Sequence, residues 1–229
     1  MSENTTKANE MKTVEIIFIL DKSGSMHSFV SDTIGGFNAT LKKQQADAME
    51  GFVTTVLFDN NMSTLHDRLP LKDVPEITEK EYTTGGCTAL LDALGNTIRH
   101  IEKVHRYIRP EDVPEKTMFV IITDGLENAS HAFSADQVRG MIAEKQKEKD
   151  WEFVFLGANI DAIHTASRIG IDTDHASNFL QDEAGIDLAF SSVDRFLKSR
   201  ASRQPMSKAD TALWKSGVER DYNERNKNR

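Results

Sequence analysis

Three short segments carry the side chains of this sequence that could bind a metal ion. In the first, Asp21, Ser23 and Ser25 come directly after the apolar run 14–20 and are spaced two residues apart. On a turn that leaves a buried strand, a carboxylate and two hydroxyls at this spacing can point into one small volume. Such an all-oxygen cluster suits a hard divalent cation, which prefers oxygen over nitrogen or sulfur ligands. Because Ser and Gly are also ordinary turn residues, a polar turn is the alternative for this segment alone.

Two later segments add oxygen ligands of the same kind. Thr88 follows Gly85 and Gly86 and opens a predicted helix, and Asp124 lies in a Thr-Asp-Gly sequence after another apolar run. In a doubly wound sheet, ligands bind beyond the carboxyl ends of the strands, where the strand order reverses. If the strands before Asp21 and Asp124 are neighbours, the two carboxylates flank one crevice. The loop that carries Thr88 can then close over it.

The elements that must position these segments alternate between strands and helices. Strand-like apolar runs lie at 14–20, 52–58, 117–123 and 151–156, with a short one within 176–180. Apolar residues at helical spacing lie at about 30–50, 88–108, 134–149, 160–169 and 186–197. The weaker run 62–68 predicts an antiparallel edge strand, and 69–84 is predicted as a polar connection. This alternation indicates an α/β fold with a mostly parallel sheet covered on both faces.

Composition narrows the class of protein. The 229 residues, 38% of them apolar, can form a full core but not clearly two domains. A net charge of −8 argues against nucleic acid or an anionic membrane as a partner. The lone Cys87 excludes an internal disulfide and a Cys-based zinc site, and fits a reducing compartment. The run 14–20 is far shorter than the roughly 20 residues that span a bilayer, so we expect a cytoplasmic protein.

The chain is predicted to divide into three parts. Residues 1–12 are polar and are expected to form a disordered lead, residues 13–198 a single domain, and residues 199–229 a flexible tail that is polar and leans basic. Trp214 in this tail can either anchor a partner or pack back onto the domain.

The three segments together resemble the von Willebrand factor type A (vWA) family. The matching sequences are D-x-S-x-S at 21–25, Thr88 within G-G-C-T-A-L-L-D-A-L at 85–94, and T-D-G at 123–125. They correspond to the metal-ion-dependent adhesion site (MIDAS) of that family, and the resemblance covers about residues 14–197. It implies a Rossmann-like, three-layer α/β/α fold of about six strands with one antiparallel edge strand. It also implies one bound divalent ion, Mg²⁺ or Mn²⁺.

The resemblance assigns a role to each of five residues. Ser23, Ser25 and Thr88 would give hydroxyl oxygens to the metal, while Asp21 and Asp124 would act as carboxylates, directly or through water. Neutral hydroxyls leave the cation under-neutralised, so its remaining coordination position can accept an Asp or Glu carboxylate from a protein partner. Because Mg²⁺ keeps several waters, a water-held position of this kind is expected.

A second group of residues lies near these five and is assigned to the second shell or the rim. For Asp92, support of the helix start or of the metal ligands is favoured over metal binding. For Asp59 a turn role is favoured, and the residues after Asp124 can line a partner-facing rim or be solvated loop residues. The group consists of Asp59, Asp92, Gly125, Glu127 and Asn128.

Three functions follow from these patterns. The favoured one is a non-enzymatic, metal-dependent module that binds a protein partner, similar to bacterial or phage accessory proteins of the vWA family. The second is a metal-assisted phosphoryl hydrolase with Asp21 as nucleophile, although Ser23 replaces the second Asp that such phosphatases use as acid and base. The third is a vWA scaffold in which the metal is purely structural. The sequence contains no Walker-type or G-x-G-x-x-G motif for nucleotides.

Overall fold

The computed structural model describes residues 12–47, 49–202 and 212–227. Six strands form one sheet in the order β3-β2-β1-β4-β5-β6. They are β1 (Val14–Asp21), β2 (Gly51–Phe58), β3 (Met62–Pro70), β4 (Lys116–Thr123), β5 (Glu152–Ala158) and β6 (Ala176–Phe179). Neighbouring strands run parallel except for β2 and β3, which are antiparallel. The predicted mostly parallel sheet with one antiparallel edge strand is confirmed.

Helices cover both faces of this sheet. They are α1 (Val30–Ala46), α2 (Leu90–Tyr107), α3 (Ala135–Lys149), α4 (Ala162–Arg168), α5 (Glu183–Ala201) and α6 (Ser216–Asn226). Apolar residues of α1, α5 and α6 belong to one core cluster, and those of α2, α3 and α4 to the other. The three-layer α/β/α architecture is therefore confirmed. None of the helices within the described residues is long and apolar enough to cross a lipid bilayer.

The central strand β1 explains why the sequence needs a continuous apolar run here. Ile16, Phe18 and Leu20 pack into the cluster under α1 and α5, whereas Ile17 and Ile19 pack into the opposite cluster. Successive side chains of a strand point to opposite faces, so a strand covered on both sides must be apolar throughout. This packing fixes the position at which β1 ends and the polar turn after it begins.

The connection after β3 differs from the prediction. The sequence predicts a polar connection at 69–84, but β3 extends to Pro70, and Leu71, Val74, Ile77 and Tyr82 are buried. These apolar side chains recur every three to five residues and pack into the cluster under α1. The spacing belongs to no regular element, so periodicity alone did not reveal the burial.

The end of the chain also departs from the expected flexible tail. Helix α5 continues through residue 199 to Ala201, and Trp214 and Val218 are 3% and 1% exposed. The Trp214 ring lies 5.7 Å from that of Phe196, and its indole nitrogen donates to the carbonyl oxygen of Asp174 at 3.0 Å. The described part of the tail therefore packs onto the domain, because it carries apolar side chains that α5 and β6 can cover. Residues 1–11, 203–211 and 228–229 lie outside the described residues, so the proposed division of the chain stays a prediction.

Candidate metal centre

The crevice between β1 and β4 lies where the strand order of the sheet reverses. From β1 the chain passes to β2 on one side, while β4, β5 and β6 lie on the other side. Strands β1 and β4 pair in parallel, so their carboxyl ends open side by side. Asp21 is the last residue of β1, and Asp124 directly follows β4. The two carboxylates thus flank one crevice at the edge of the sheet where ligands of this architecture bind.

Asp21 is held at the floor of the crevice by three hydrogen bonds. One carboxylate oxygen accepts from the backbone N–H of Ser23 at 2.7 Å, and the other accepts from the hydroxyl of Thr123 at 2.5 Å. Its backbone carbonyl accepts from the hydroxyl of Tyr82. With 1% of the residue exposed, the direction of this carboxylate is set by its partners.

A chain of polar contacts links the first and third predicted segments. The hydroxyls of Ser23 and Ser25 are 3.2 Å apart, and the Ser25 hydroxyl donates to Oδ1 of Asp124 at 2.6 Å. Ser23 and Asp124 are buried, whereas Ser25 is exposed. The site is therefore reached from solvent at Ser25 and enclosed behind it.

The second segment brings Thr88 against the loop of Asp124. A Cβ atom placed on Gly125 would lie 2.7 Å from the Thr88 hydroxyl oxygen, so a larger residue here would force the Thr88 side chain to move. The backbone N–H of Thr88 donates to Oδ1 of Asn128 at 3.0 Å, and the N–H of Asn128 donates to the Thr88 carbonyl at 3.1 Å. Next to Thr88, Cys87 is exposed, and its backbone N–H donates to Oδ1 of Asn60 at 2.6 Å. The three predicted segments meet at one crevice.

Three acidic residues of the second group are engaged in holding loops together. The Asp59 carboxylate pairs with the ammonium of Lys22 at 2.5 Å. The Asp92 carboxylate accepts the backbone N–H groups of residues 131, 132 and 133, each at 2.9 Å. The Glu127 carboxylate accepts from the N–H groups of Leu91, Ala129 and Ser130. Asp92 and Glu127 therefore tie the start of α2 to the loop after β4, and their role toward a metal stays a prediction.

Burial raises the pKa of both carboxylates that flank the crevice. For Asp21, desolvation outweighs the hydrogen bonds from Thr123 and Ser23, and the nearby charge of Asp124 raises its pKa further. For Asp124, desolvation likewise outweighs the hydrogen bonds from Ser25 and Gln181. A buried negative charge is costly without a positive partner. Within the described ranges, no Lys, Arg or His side chain pairs with either carboxylate.

The donor set fits a hard divalent cation. Among the described residues, no group of three or more His, Cys, Asp or Glu side chains could hold a metal. A cation in this crevice would therefore depend on the hydroxyls of Ser23, Ser25 and Thr88 in addition to the two carboxylates. All five donors are oxygens, which suits Mg²⁺ or Mn²⁺ and disfavours softer metals that select nitrogen and sulfur. Metal binding by these five residues stays a prediction.

The structure adds two amide side chains that the sequence patterns did not single out. Gln181, which follows β6, donates through Nε2 to Oδ2 of Asp124 and, at 3.4 Å, to the carbonyl of Ser25. Asn159, which follows β5, donates through Nδ2 to Oε1 of Gln181. The signal that could have found both is their position at the carboxyl end of a strand, which becomes informative once the strand order is known.

Several solved structures share this fold. No protein-family model and no curated protein matches the sequence. Among solved structures, the vWF domain of the type V pili tip protein Mfa5 from Porphyromonas gingivalis matches with a TM-score of 0.62 at 11% identity, over 86% of this chain and 99% of that one. The von Willebrand factor type A protein from Catenulispora acidiphila matches with a TM-score of 0.54 at 18% identity, over 80% of this chain and 42% of that one.

A third solved structure is a minor pilin. The PilB minor pilin from Streptococcus sanguinis matches with a TM-score of 0.59 at 9% identity, over 85% of this chain and 64% of that one. The chain thus covers nearly the whole length of the first neighbour, 42% of the second and 64% of the third. Identities this low establish the fold alone. On the sheet topology and these matches, the chain has the fold of a von Willebrand factor type A domain.

Proposed function

We propose that this protein is a metal-dependent protein-binding module that captures an acidic residue of its partner through a divalent cation, Mg²⁺ or Mn²⁺. The observation that carries the proposal is the contact chain from Ser23 through Ser25 to Asp124 at the reversal of strand order. It is supported by the similar folds of the vWF domain of a pili tip protein and of a minor pilin.

The hydroxyls and the carboxylates of the crevice would have different roles in binding the cation. The hydroxyls of Ser23, Ser25 and Thr88 would hold the cation without neutralising it, and Asp21 and Asp124 would supply the negative charge. When bound, the cation supplies a Lewis-acidic centre that can take up a carboxylate oxygen from outside the protein. Ser25 is the exposed member of the set, so a partner would approach on its side.

The geometry favours binding over catalysis. Both carboxylate oxygens of Asp21 already accept hydrogen bonds, and 1% of the residue is exposed, which is a poor arrangement for a nucleophile that attacks phosphorus. Ser23 occupies the position at which a phosphatase of this kind would need its acid and base. We therefore propose no enzymatic activity for the site.

Thermal unfolding with and without metal tests the proposed site. We expect the melting temperature of the wild-type protein to rise when Mg²⁺ or Mn²⁺ replaces EDTA, because a ligand that binds only the folded state stabilises it. In Thr88→Ala this rise should largely disappear, since one of the predicted oxygen ligands is lost. The matched control is Thr64→Ala, at an exposed threonine on β3, which should keep the full rise.

Affinity capture tests the proposed partner chemistry. Immobilised wild-type protein should retain a partner in Mg²⁺ and release it in EDTA, and Thr88→Ala should retain none. A wild-type melting temperature indifferent to metal would contradict the metal site. A partner that remains bound in EDTA and to Thr88→Ala would instead indicate that any metal is structural and that another surface makes the contact.

A further inference from the structure

Two amide side chains form a brace that ends on one oxygen of Asp124. Asn159 follows β5 and Gln181 follows β6, so the brace runs across the ends of two neighbouring strands to the end of β4. The Asn159 amide nitrogen donates to the Gln181 amide oxygen, and the Gln181 amide nitrogen donates to Oδ2 of Asp124. We call Asn159 and Gln181 the amide brace.

We propose that Gln181 is a positioning residue for the metal site: it occupies Oδ2 of Asp124 so that Oδ1 faces Ser25 and the crevice. This inference rests on the proposed metal-binding function. Asp124 is buried, and its two oxygens have different partners, Ser25 on Oδ1 and Gln181 on Oδ2. A carboxylate held at both oxygens has a fixed direction, which is what a site with few charged ligands requires.

The chemistry of an amide suits this task better than that of a cation. A lysine or arginine at residue 181 would pair with Asp124 and neutralise the charge that the metal needs. The amide of Gln181 directs the carboxylate through a hydrogen bond and leaves its negative charge available. Gln181 itself is not placed as a metal ligand, because its amide oxygen already accepts from Asn159 and its nitrogen points to Asp124.

The contacts also fix which way the Gln181 amide is turned. In the opposite orientation its oxygen would face the carboxylate of Asp124, and its nitrogen would face the amide nitrogen of Asn159. Both contacts would then join groups of like polarity. The orientation with nitrogen toward Asp124 satisfies both ends of the brace and also allows the bond to the Ser25 carbonyl at 3.4 Å.

The residue after Gln181 holds its loop against the helices α5 and α6. The neighbouring Asp182 accepts from the backbone N–H of Gly185 at 3.0 Å and so caps α5. Asp182 also pairs with the guanidinium of Arg225 near the end of α6. Gln181 is therefore held in place both by the contacts of its neighbour Asp182 and by its own hydrogen bond with Asn159. A residue fixed in this way can hold the carboxylate of Asp124 in one direction.

Manganese binding to three variants tests the role of Gln181. In Gln181→Leu the hydrogen bond to Asp124 is lost, and we expect the Kd for Mn²⁺, measured by calorimetry, to rise about tenfold or more, as for other supporting contacts of metal ligands. Gln181→Glu also removes this donor but adds a negative charge beside Asp124, so it should bind Mn²⁺ more tightly than Gln181→Leu does. Its melting temperature in EDTA should fall, and its rise on adding Mn²⁺ should exceed that of Gln181→Leu.

The third variant and the control separate positioning from simple stability. Asn159 has a φ of +54°, so Asn159→Gly removes the donor to Gln181 and keeps the backbone conformation accessible. It should also weaken Mn²⁺ binding, and it decides the question if Gln181→Leu does not fold. The control is Gln45→Leu, which breaks two amide hydrogen bonds to backbone carbonyls at Leu71 and Val74. It should lower the melting temperature and leave the Kd for Mn²⁺ unchanged.

The outcomes distinguish this inference from the proposed function. If the wild-type protein binds no Mn²⁺, both are overturned together. If the wild type binds Mn²⁺ and the variants at Gln181 and Asn159 bind it with the same Kd, the positioning role is overturned and the metal site stands. Weaker binding in Gln181→Leu and in Asn159→Gly, with an unchanged Kd in Gln45→Leu, would support it.

Discussion

At the scale of single residues, the buried side chain of Tyr82 holds the end of β1 in place beneath the crevice. Its side chain is 1% exposed, and its hydroxyl donates to the backbone carbonyl of Asp21 at the end of β1. Burial, together with the charges of Asp21 and Asp124, raises the pKa of Tyr82, so the hydroxyl stays protonated and remains a donor. The position of Asp21 at the end of β1 therefore depends on a residue that lies 61 positions away in the chain.

Removing the Tyr82 hydroxyl tests this support. In Tyr82→Phe the ring keeps its packing, but a buried carbonyl loses its partner, which should lower the free energy of unfolding by about 1 to 3 kcal/mol. Urea denaturation in EDTA measures the change without any contribution from metal. Tyr107→Phe, at a tyrosine that is 77% exposed, should change the stability by less than about 0.5 kcal/mol. Equal effects in the two variants would contradict the proposed support.

At the scale of elements, helices α1 and α5 are joined by close packing and by polar contacts. Gly36 of α1 lies against the ring of Phe190 of α5, where an added Cβ would come within 2.1 Å of a ring carbon. About two turns further along α1, Gln44 donates to Asp194 of α5 at 2.6 Å. The turn with the two serines leads into α1, and the loop with Gln181 leads into α5. The packing of this pair therefore places two of the loops around the crevice.

Two adjacent glycines of α1 offer a matched test of this packing. Gly36→Ala should destabilise the protein by about 1 to 3 kcal/mol, since the new methyl group collides with a well-packed ring. Gly35 is exposed and an added Cβ meets nothing within 4 Å, so Gly35→Ala should stabilise the helix by up to about 1 kcal/mol. Thermal and urea unfolding would show the opposite signs. A loss of stability in Gly35→Ala would contradict the reading that packing on α5 causes the effect.

At the scale of the whole molecule, the end of the chain covers α5 and the edge strand β6. Lys215 donates to the carbonyls of Thr173 and Ala176 at 2.8 and 3.0 Å, and Trp214 packs on the ring of Phe196. An edge strand exposes unpaired backbone groups that invite pairing with other chains, so covering it disfavours such pairing. The last described helix is thus part of the folded unit.

Neighbouring residues of this segment test whether it contributes to stability. Trp214→Ala should cost about 3 to 5 kcal/mol, as expected for the loss of a large buried aromatic side chain. Leu213 is 56% exposed, and Leu213→Ala should change the stability by less than about 0.5 kcal/mol. Denaturant unfolding of both variants measures the difference. A Trp214→Ala protein as stable as the wild type would restore the expectation of a flexible tail.

Most of the fold could be predicted because its signals are local. The runs that form β1 and β4 are apolar on both faces, and Ser134 and Gln137, three residues apart, form a capping box at the start of α3. Burial in the connection after β3 was missed, since the side chains of Ile77 and Tyr82 follow no helical or strand period. There the packing depends on contacts with α1, such as the hydrogen bonds between Asn38 and the backbone of Ile77.

The candidate site was predictable to the extent that its residues lie in short motifs. Asp21, Ser23 and Ser25 are recognisable from their spacing, and the structure places them beside Asp124 as expected. Gln181 and Tyr82 belong to no recognisable motif. Gln181 reaches Asp124 because β6 lies on the same side of β1 as β4, and Tyr82 reaches Asp21 from an irregular connection. Residues of this kind become visible only when the tertiary structure is known.

The position of Cys87 gives the protein a natural attachment point. It is the one cysteine in the chain, it is exposed, and it precedes Thr88 at the mouth of the crevice. A thiol-reactive fluorophore or biotin would therefore modify a single, known position without any engineered substitution. The rate of alkylation then becomes a footprint: a partner that covers this mouth would shield the thiol, and one that binds elsewhere would leave its reactivity unchanged.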